Sequence, residues 1–425
     1  MAKFIIKGGK ALEGRVKLSG NKNAALKLIP AALLSDKPST FTNVPDILDV
    51  SVILEIINKL GVGVEQKDNT VIIDPSTIKS SEPDSALCAK IRASVVLAAP
   101  LLARFGKTTI TPPGGDQIGD RLLETHFGLM QKMGVEIKRE DGRYFLSWKK
   151  KGPSDIFLDE SSVTATEMGL MLASSINHET KIEDAAAEPH VVDLANYLQK
   201  MGATIHGAGT GNLVIKGNGK LVGCEHRVIP DHIEGGTFAI AAAITQGRIT
   251  IGDFQADNYK MILSYLSDMG VKYKIGKNTL EVFPSKLKVK SKRREFQTRP
   301  WPGFPTDLMS PFIVLATQCE GTVLCHDWMY EWRIFFVDDL KSMGAKIFIA
   351  DPHRVIISGP TKLLADRIYC KDIRAGISMI LAALVAEGTS EIENIEVAQR
   401  GYEKIEERLM NLGADIKIVD DDKGN

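Results

Sequence analysis

Paired cysteines, an excess charge of either sign and long apolar runs are all missing from this chain. The five cysteines (Cys88, Cys224, Cys319, Cys325 and Cys370) are odd in number, scattered and never spaced as CxxC. That excludes a disulfide framework and offers no zinc-type spacing. The 53 Lys and Arg cancel the 53 Asp and Glu, which removes any electrostatic case for nucleic acid or an anionic membrane as main partner. No apolar run reaches the roughly 20 residues of a membrane span. The opening MAKFIIKGGKALEG turns polar within a few residues, unlike a signal peptide, so a cytoplasmic location is expected. Nucleotide-loop signatures are absent too. GAGTG at Gly207–Gly211 precedes a strand instead of opening a helix, and GKT at Gly106 lacks the upstream glycine of a P-loop. What remains is 425 residues, 44% hydrophobic and 25% charged, the balance of a soluble globular protein with room for two or more cores.

One phrase returns along the chain: KLGVGVE, KMGVEIK, KMGATIH, DMGVKYK, SMGAKIF and NLGADIK. Its glycines, Gly61, Gly134, Gly202, Gly270, Gly344 and Gly413, stand 73, 68, 68, 74 and 69 residues apart. Each closes an amphipathic run such as ILDVSVILEIINKL, where a helix end favours glycine in the left-handed region, and alternating strand-like residues follow. Upstream of each lies a second apolar segment, among them NAALKLIPAALL, SVVLAAPLLAR and GISMILAALVAEG. These are apolar on every side and read as buried helices. A short strand such as GKTTI or GRITI comes next. The pattern predicts an α/β protein built from six units of helix, strand, helix, strand, strand, each about 70 residues long and too long for an ordinary solenoid repeat. The units divide three and three, giving one domain at 22–229 and a second made of 1–21 with 230–425. The strand-like KFIIKG and GRVKLSG would complete the second domain.

Between the second buried helix and its amphipathic partner runs PPGGDQIGDRLLETH, Pro112–His126. Its prolines and glycines can continue neither a helix nor a ladder, so it is a loop. It follows a strand at Lys107–Thr111, leads into a helix over Leu122–Met130, and carries a carboxylate, Asp116, with a cation, Arg121. Loops of this kind serve as acidic surface turns or as catalytic lids.

LSGNKNAAL, PGGDQIGDR, FPTDL at Phe304–Leu308 and RGYEKIEERL from Arg400, set in six units, resemble the enolpyruvyl transferase family over essentially the whole chain. Gly20-Asn21-Lys22-Asn23 replaces the Gly-Ser-Lys-Ser of the branch that uses shikimate 3-phosphate. The resemblance therefore points to the branch whose acceptor is UDP-N-acetylglucosamine, at the first committed step of peptidoglycan synthesis. It implies the enolpyruvyl transferase fold, two inside-out α/β domains with helices within and sheets outside, closing over phosphoenolpyruvate and the acceptor. It implies no cofactor, no metal and no obligate protein partner. The competing readings are transfer to shikimate 3-phosphate or another hydroxyl, and a catalytically silent homologue that binds nucleotide-sugar.

The resemblance assigns Lys22, Arg92, Arg121, Arg374 and Arg400 to the phosphate and carboxylate of the donor, anions that the planar guanidinium fork suits. Arg92 and Arg374 each stand just ahead of a buried Ala-rich helix, whose N-terminus adds partial positive charge. The alternative for each is an ordinary surface arginine. Asp307 corresponds to the base that takes the acceptor's proton; otherwise Asp307 or Thr306 is a helix N-cap. Asp116 stands where most members carry a cysteine, and would protonate C3 of the donor once burial raises its pKa. Asn23, Ser162, Val163, Met329 and Glu331 are implied for the nucleotide-sugar.

Departures cluster at Glu160, Thr164, His232 and Leu122–Thr125. The aromatics Trp328, Tyr330, Trp332, Phe335 and Phe336 are expected in a core before a substrate platform. KLKVKSKRR, Lys286–Arg294, is expected as a solvated edge strand.

Overall fold

In the computed structural model, residues 2–115, 119, 122–290 and 294–420 are described. Backbone contacts divide the chain into two compact units, one of Met1–Ser19, Gln117–Asp120 and Pro230–Asn425, the other of Gly20–Asp116 and Arg121–Ile229. Each has its own hydrophobic core. The chain is mixed α/β, with six sheets among the described residues.

Every repeat contributes one buried and one amphipathic helix. The buried set is Lys22–Ala31, Ala98–Phe105, Val163–Ser174, His232–Ile244, Met309–Thr317 and Ile373–Val385. In His232–Ile244 all 13 residues are buried, as a helix without a polar face requires. The amphipathic set, from Leu48–Lys59 to Ile405–Asn411, ends each time on one of the recurring glycines. Gly61, Gly134, Gly202, Gly270, Gly344 and Gly413 all have φ between 88° and 115°, the region that spares glycine the Cβ clash. The sheets alternate in burial, as in Arg248–Gly252 and Thr389–Glu393. One face packs on the helices and the other meets water, so the helices lie inside and the sheets outside.

The repeat is longer than its sequence pattern by one strand. In five of the six sheets a short strand lies parallel to the one that follows the buried helix: Glu225–Arg227 on Ser39–Thr42, Ser154–Phe157 on Glu179–Glu183, Glu13–Lys17 on Arg248–Gly252, Glu295–Gln297 on Gly321–His326, and Arg367–Tyr369 on Thr389–Glu393. A parallel partner needs a crossover; for Ser154–Phe157, Glu295–Gln297 and Arg367–Tyr369 the buried helix between the two strands supplies it. Among the described residues, the sheet of the second repeat has three strands and not this one. The sequence pattern marks only Glu13–Lys17, within GRVKLSG; the other four, of three or four residues at a sheet edge, carry too little alternation to be read.

Two strands come from far along the chain. Ala2–Lys7 lies between Thr389–Glu393 and Asp415–Asp420, antiparallel to both. Glu225–Arg227, at the end of the third repeat, joins the sheet of the first. Each unit is thus closed by a strand from the opposite end of its own sequence.

Three local expectations change. The helix after the loop runs Glu124–Lys132, later than the Leu122 start, and the strand before it ends at Ile110. The described residues of Lys286–Arg294 do not form an edge strand. Its described part makes one isolated bridge, Lys288 to Glu320, reinforced by Lys288 Nζ at 2.7 Å from Glu320 Oε1. Among the aromatics, Phe336 is core, but Trp328, Trp332 and Phe335 are 57%, 55% and 40% exposed. The core of the second unit also encloses charge: Lys27 Nζ lies 3.6 Å from Glu167 Oε2, and both residues are buried.

Candidate active site

The candidate residues divide between the units. In the unit of residues 20–229, Lys22 is the first residue of the Lys22–Ala31 helix, whose start is capped by Asn21 Oδ1 accepting from the Ala24 amide at 2.9 Å. Its ammonium is nearly buried and lies 2.7 Å from Asp49 Oδ2. Asp49 occupies the inward face of Leu48–Lys59 with Val50, Ile53 and Ile57. Asn23 is half-buried on the first helical turn.

Arg92 opens the turn Arg92–Leu97 ahead of Ala98–Phe105, and its Nη2 donates to the Leu122 carbonyl at 3.3 Å. Gly115 lies against this turn, where a Cβ would fall 3.0 Å from Arg92 Cβ, and Gly114 lies against the residues before it. A Cβ on Gly114 would fall 1.7 Å from the Ala89 carbonyl oxygen, so only glycine fits there. Asp116 and Arg121 lie outside the described residues. Ser162 and Val163 begin Val163–Ser174; Ser162 is the N-cap without a side-chain bond, and its carbonyl accepts from the Thr166 amide. The departure at Thr164 has a local partner, His126 Nε2, 2.6 Å from its hydroxyl.

In the other unit, Asp307 is the centre. It does not cap a helix. Thr306–Leu308 is a turn of 3-10 helix preceded by Pro305, with no side-chain cap, and Met309–Thr317 follows. The Asp307 carboxylate faces two guanidinium groups instead. Arg374 Nη2 donates to Oδ2 at 2.6 Å, and Arg333 Nη1 lies 3.1 Å from Oδ1 as an ion pair without hydrogen-bond alignment. Both arginines are buried. Burial opposes the charge of Arg374, yet Asp307, Tyr402 and Asp231 outweigh it and hold the guanidinium pKa above its usual value. The same opposition, with Asp307 and Asp327 prevailing, raises that of Arg333.

Arg374 enters the site at the second residue of Ile373–Val385, where Asp372 caps by accepting from the Arg374 and Ala375 amides. Arg92 and Arg374 thus open the second and sixth repeats. Arg400, half-buried, ends Glu396–Gln399. The next residue, Gly401, packs on the start of the Arg374 helix, where a Cβ would fall 2.4 Å from Ile373 Cγ2. Tyr402 lies under the Arg374 guanidinium, 5.4 Å from ring centroid to Cζ. Met329 is half-buried and Glu331 exposed, in the segment between Gly321–His326 and Val337–Ser342.

His232, the first residue of His232–Ile244, is buried with its ring 5.6 Å from that of Trp301. Its Nδ1 has no hydrogen-bond partner among the described residues. Burial pushes its pKa down to about 4 against the pull of Asp307, with Arg374 adding to the fall, so the ring is neutral near pH 7.

Of the residues expected from sequence, Asp307 and Arg374 are in direct contact. Lys22 and Arg92 find other partners within their unit. Sequence reasoning missed Asp49, Arg333 and Asp327. Asp49 had a signal, as a carboxylate at the apolar spacing of its helix, and Arg333 is the one basic residue within Trp328–Phe336. A cavity of about 230 Å³ in the same unit, lined by Tyr265, Gln297, Arg299 and Phe304 among others, shares only Phe304 with these motifs. No group of His, Cys, Asp and Glu suited to a metal occurs among the described residues. Nor is any described helix long and apolar enough to cross a membrane.

The profile of the EPSP synthase (3-phosphoshikimate 1-carboxyvinyltransferase) family matches residues 6–409. The chain belongs to this family of 1-carboxyvinyl, or enolpyruvyl, transferases. Its relatives include the UDP-N-acetylglucosamine 1-carboxyvinyltransferase of Treponema denticola, 43% identical over 98% of this chain and 99% of that protein. The enzyme of the same name from Bradyrhizobium diazoefficiens is 43% identical over 99% of each. Among solved structures, the enolpyruvyl transferase NikO from Streptomyces tendae aligns with a TM-score of 0.88 at 24% identity over 98% of both chains. EPSP synthase from Acinetobacter baumannii aligns at 0.75 and 19% identity, over 99% of this chain and 100% of that one. These two establish the fold.

Proposed function

We propose that this chain transfers the enolpyruvyl group of phosphoenolpyruvate to the 3-hydroxyl of UDP-N-acetylglucosamine, releasing phosphate, in the cytoplasm and as the first committed step of peptidoglycan synthesis. The observation that carries the reading is the Asp307 carboxylate set between Arg374 and Arg333. Together they offer a proton acceptor beside cations suited to an anionic donor. The names of the full-length relatives supply the acceptor.

Asp116 gives a proton to C3 of phosphoenolpyruvate, which makes C2 electrophilic. The acceptor hydroxyl attacks C2 and passes its proton to Asp307. C3 then returns a proton to the Asp116 carboxylate, the bond from C2 to the phosphate oxygen breaks, and phosphate leaves with the proton that Asp307 had taken, its charge held by Lys22, Arg92, Arg121, Arg374 and Arg400. Asn23, Ser162, Val163, Met329 and Glu331 position the nucleotide-sugar. A buried, neutral His232 adds no charge to this anion-binding set.

Phosphate release from phosphoenolpyruvate, assayed with separate acceptors, tests the reading. Turnover is expected with UDP-N-acetylglucosamine and not with shikimate 3-phosphate; the reverse preference, or release with neither, would overturn it.

A further inference from the structure

Asp327 carries no role in the reaction described so far, yet its carboxylate accepts four hydrogen bonds close to Asp307. It follows the strand Gly321–His326 and is fully buried. Its Oδ1 accepts from Thr298 Oγ1 at 3.2 Å and from the amides of Met329 and Tyr330 at 3.0 and 3.1 Å. Oδ2 accepts from Thr306 Oγ1 at 2.7 Å, with Arg333 Nε at 4.0 Å. The acceptor capacity of an ionised carboxylate is about four bonds, and here it is filled. Its own backbone is pinned as well, the amide donating to the His353 carbonyl and the carbonyl accepting from His353 Nδ1, both at 2.8 Å.

These bonds run to two separate segments. Thr306 is the residue before Asp307, and Met329 and Tyr330 begin the turn that delivers Arg333 to Asp307 Oδ1. We infer that Asp327 is a positioning residue for the proposed transfer: one buried carboxylate fixes both the base-bearing turn at Thr306–Asp307 and the turn bearing its Arg333 partner. Placing both segments on one rigid anchor sets the carboxylate's direction. A displacement of about 1 Å at a reacting group costs on the order of a hundredfold in rate. Asparagine would keep the size but lose the counter-charge to Arg333, and would turn an amino group toward either the hydroxyl or the two amides.

The inference rests on the proposed function, and the wild-type enzyme assayed in parallel tests that separately. Thr306→Val cuts one bond of the anchor and leaves the Met329 and Tyr330 bonds intact. It is expected to lower kcat about tenfold or more with the KM for UDP-N-acetylglucosamine within about twofold, and Thr306→Ser should restore most of the rate. Asp327→Asn should lower kcat further, and adding Thr306→Val to it should cost little more, because both act through one bond. A wild-type rate in Thr306→Val, a loss that Thr306→Ser fails to rescue, or full additivity with Asp327→Asn would overturn the inference. If Asp327→Asn does not fold, the Thr306 pair alone decides.

Discussion

Asp307 sets its carboxylate against two buried guanidinium groups, so it matters to the fold as well as to the proposed chemistry. Asp307→Asn keeps the shape, cannot accept the acceptor's proton, and leaves both arginines short of a counter-charge. Turnover should fall by at least roughly a hundredfold. The melting temperature should fall too, since breaking one side of a buried pair is destabilising. Near-normal turnover would remove Asp307 from the mechanism. A second residue-scale prediction concerns Asp116. The epoxide fosfomycin inactivates family members by alkylating the cysteine at this loop position. A carboxylate is a weak nucleophile toward an epoxide, and weaker when protonated for acid duty. The wild-type enzyme should keep its rate under fosfomycin, whereas Asp116→Cys should stay active and be inactivated with time, gaining one equivalent of drug mass. Asp116→Asn should stay insensitive and lose activity. Covalent inactivation of the wild type would mean that another side chain is the nucleophile.

At the scale of helices and strands, the six glycine phrases and the Ala-rich segments made the core legible, because each records a local requirement: a left-handed helix end, or a helix with no polar face. Asp307 and Arg374 were legible through motifs. Their contact was not, since it joins residues 67 positions apart, and neither Asp327 nor Arg333 belongs to a periodic pattern. The Lys27–Glu167 contact inside the helices of the second unit is another such long-range product, and it has a measurable signature. Burial pushes Glu167 up to about 8, Lys27 pulling it down and Glu188 adding to the rise. Its folded pKa is raised above the free value, so the folded chain binds the extra proton. Stability from this group is complete below about pH 4.5 and falls as pH rises through about 8, at up to roughly 1.4 kcal/mol per pH unit. Glu167→Gln mimics the protonated form. It should match the wild type in denaturant melts at pH 4 and exceed it increasingly at pH 6 and pH 8; a wild type that gains on the variant over that range would refute the account.

For the molecule as a whole, two separate cores mean that damage to one unit should stay there. Phe4, fully buried on the strand Ala2–Lys7, belongs to the core of the unit that also holds residues 230–425. Phe4→Ala should cost that unit about 3–5 kcal/mol. Hydrogen exchange should show lost protection at Thr389–Glu393 and Asp415–Asp420, with Ser39–Thr42 and Thr70–Asp74 unchanged. Equal loss in both units would show that they unfold together.

The position of Ala2–Lys7 also orders events during synthesis. Its two neighbours in the sheet, Thr389–Glu393 and Asp415–Asp420, are the last strands to be made. The unit of residues 20–229 has all its strands once the chain reaches Arg227, and can fold while the remainder is still being translated. At about 5–20 residues per second, the N-terminal strand waits roughly 20–80 s for its partners. Through that interval it offers apolar Phe4, Ile5 and Ile6 to any other unpaired strand nearby. A nascent chain stalled before residue 389 should therefore hold a folded middle and an N-terminus still open to proteases and chaperones.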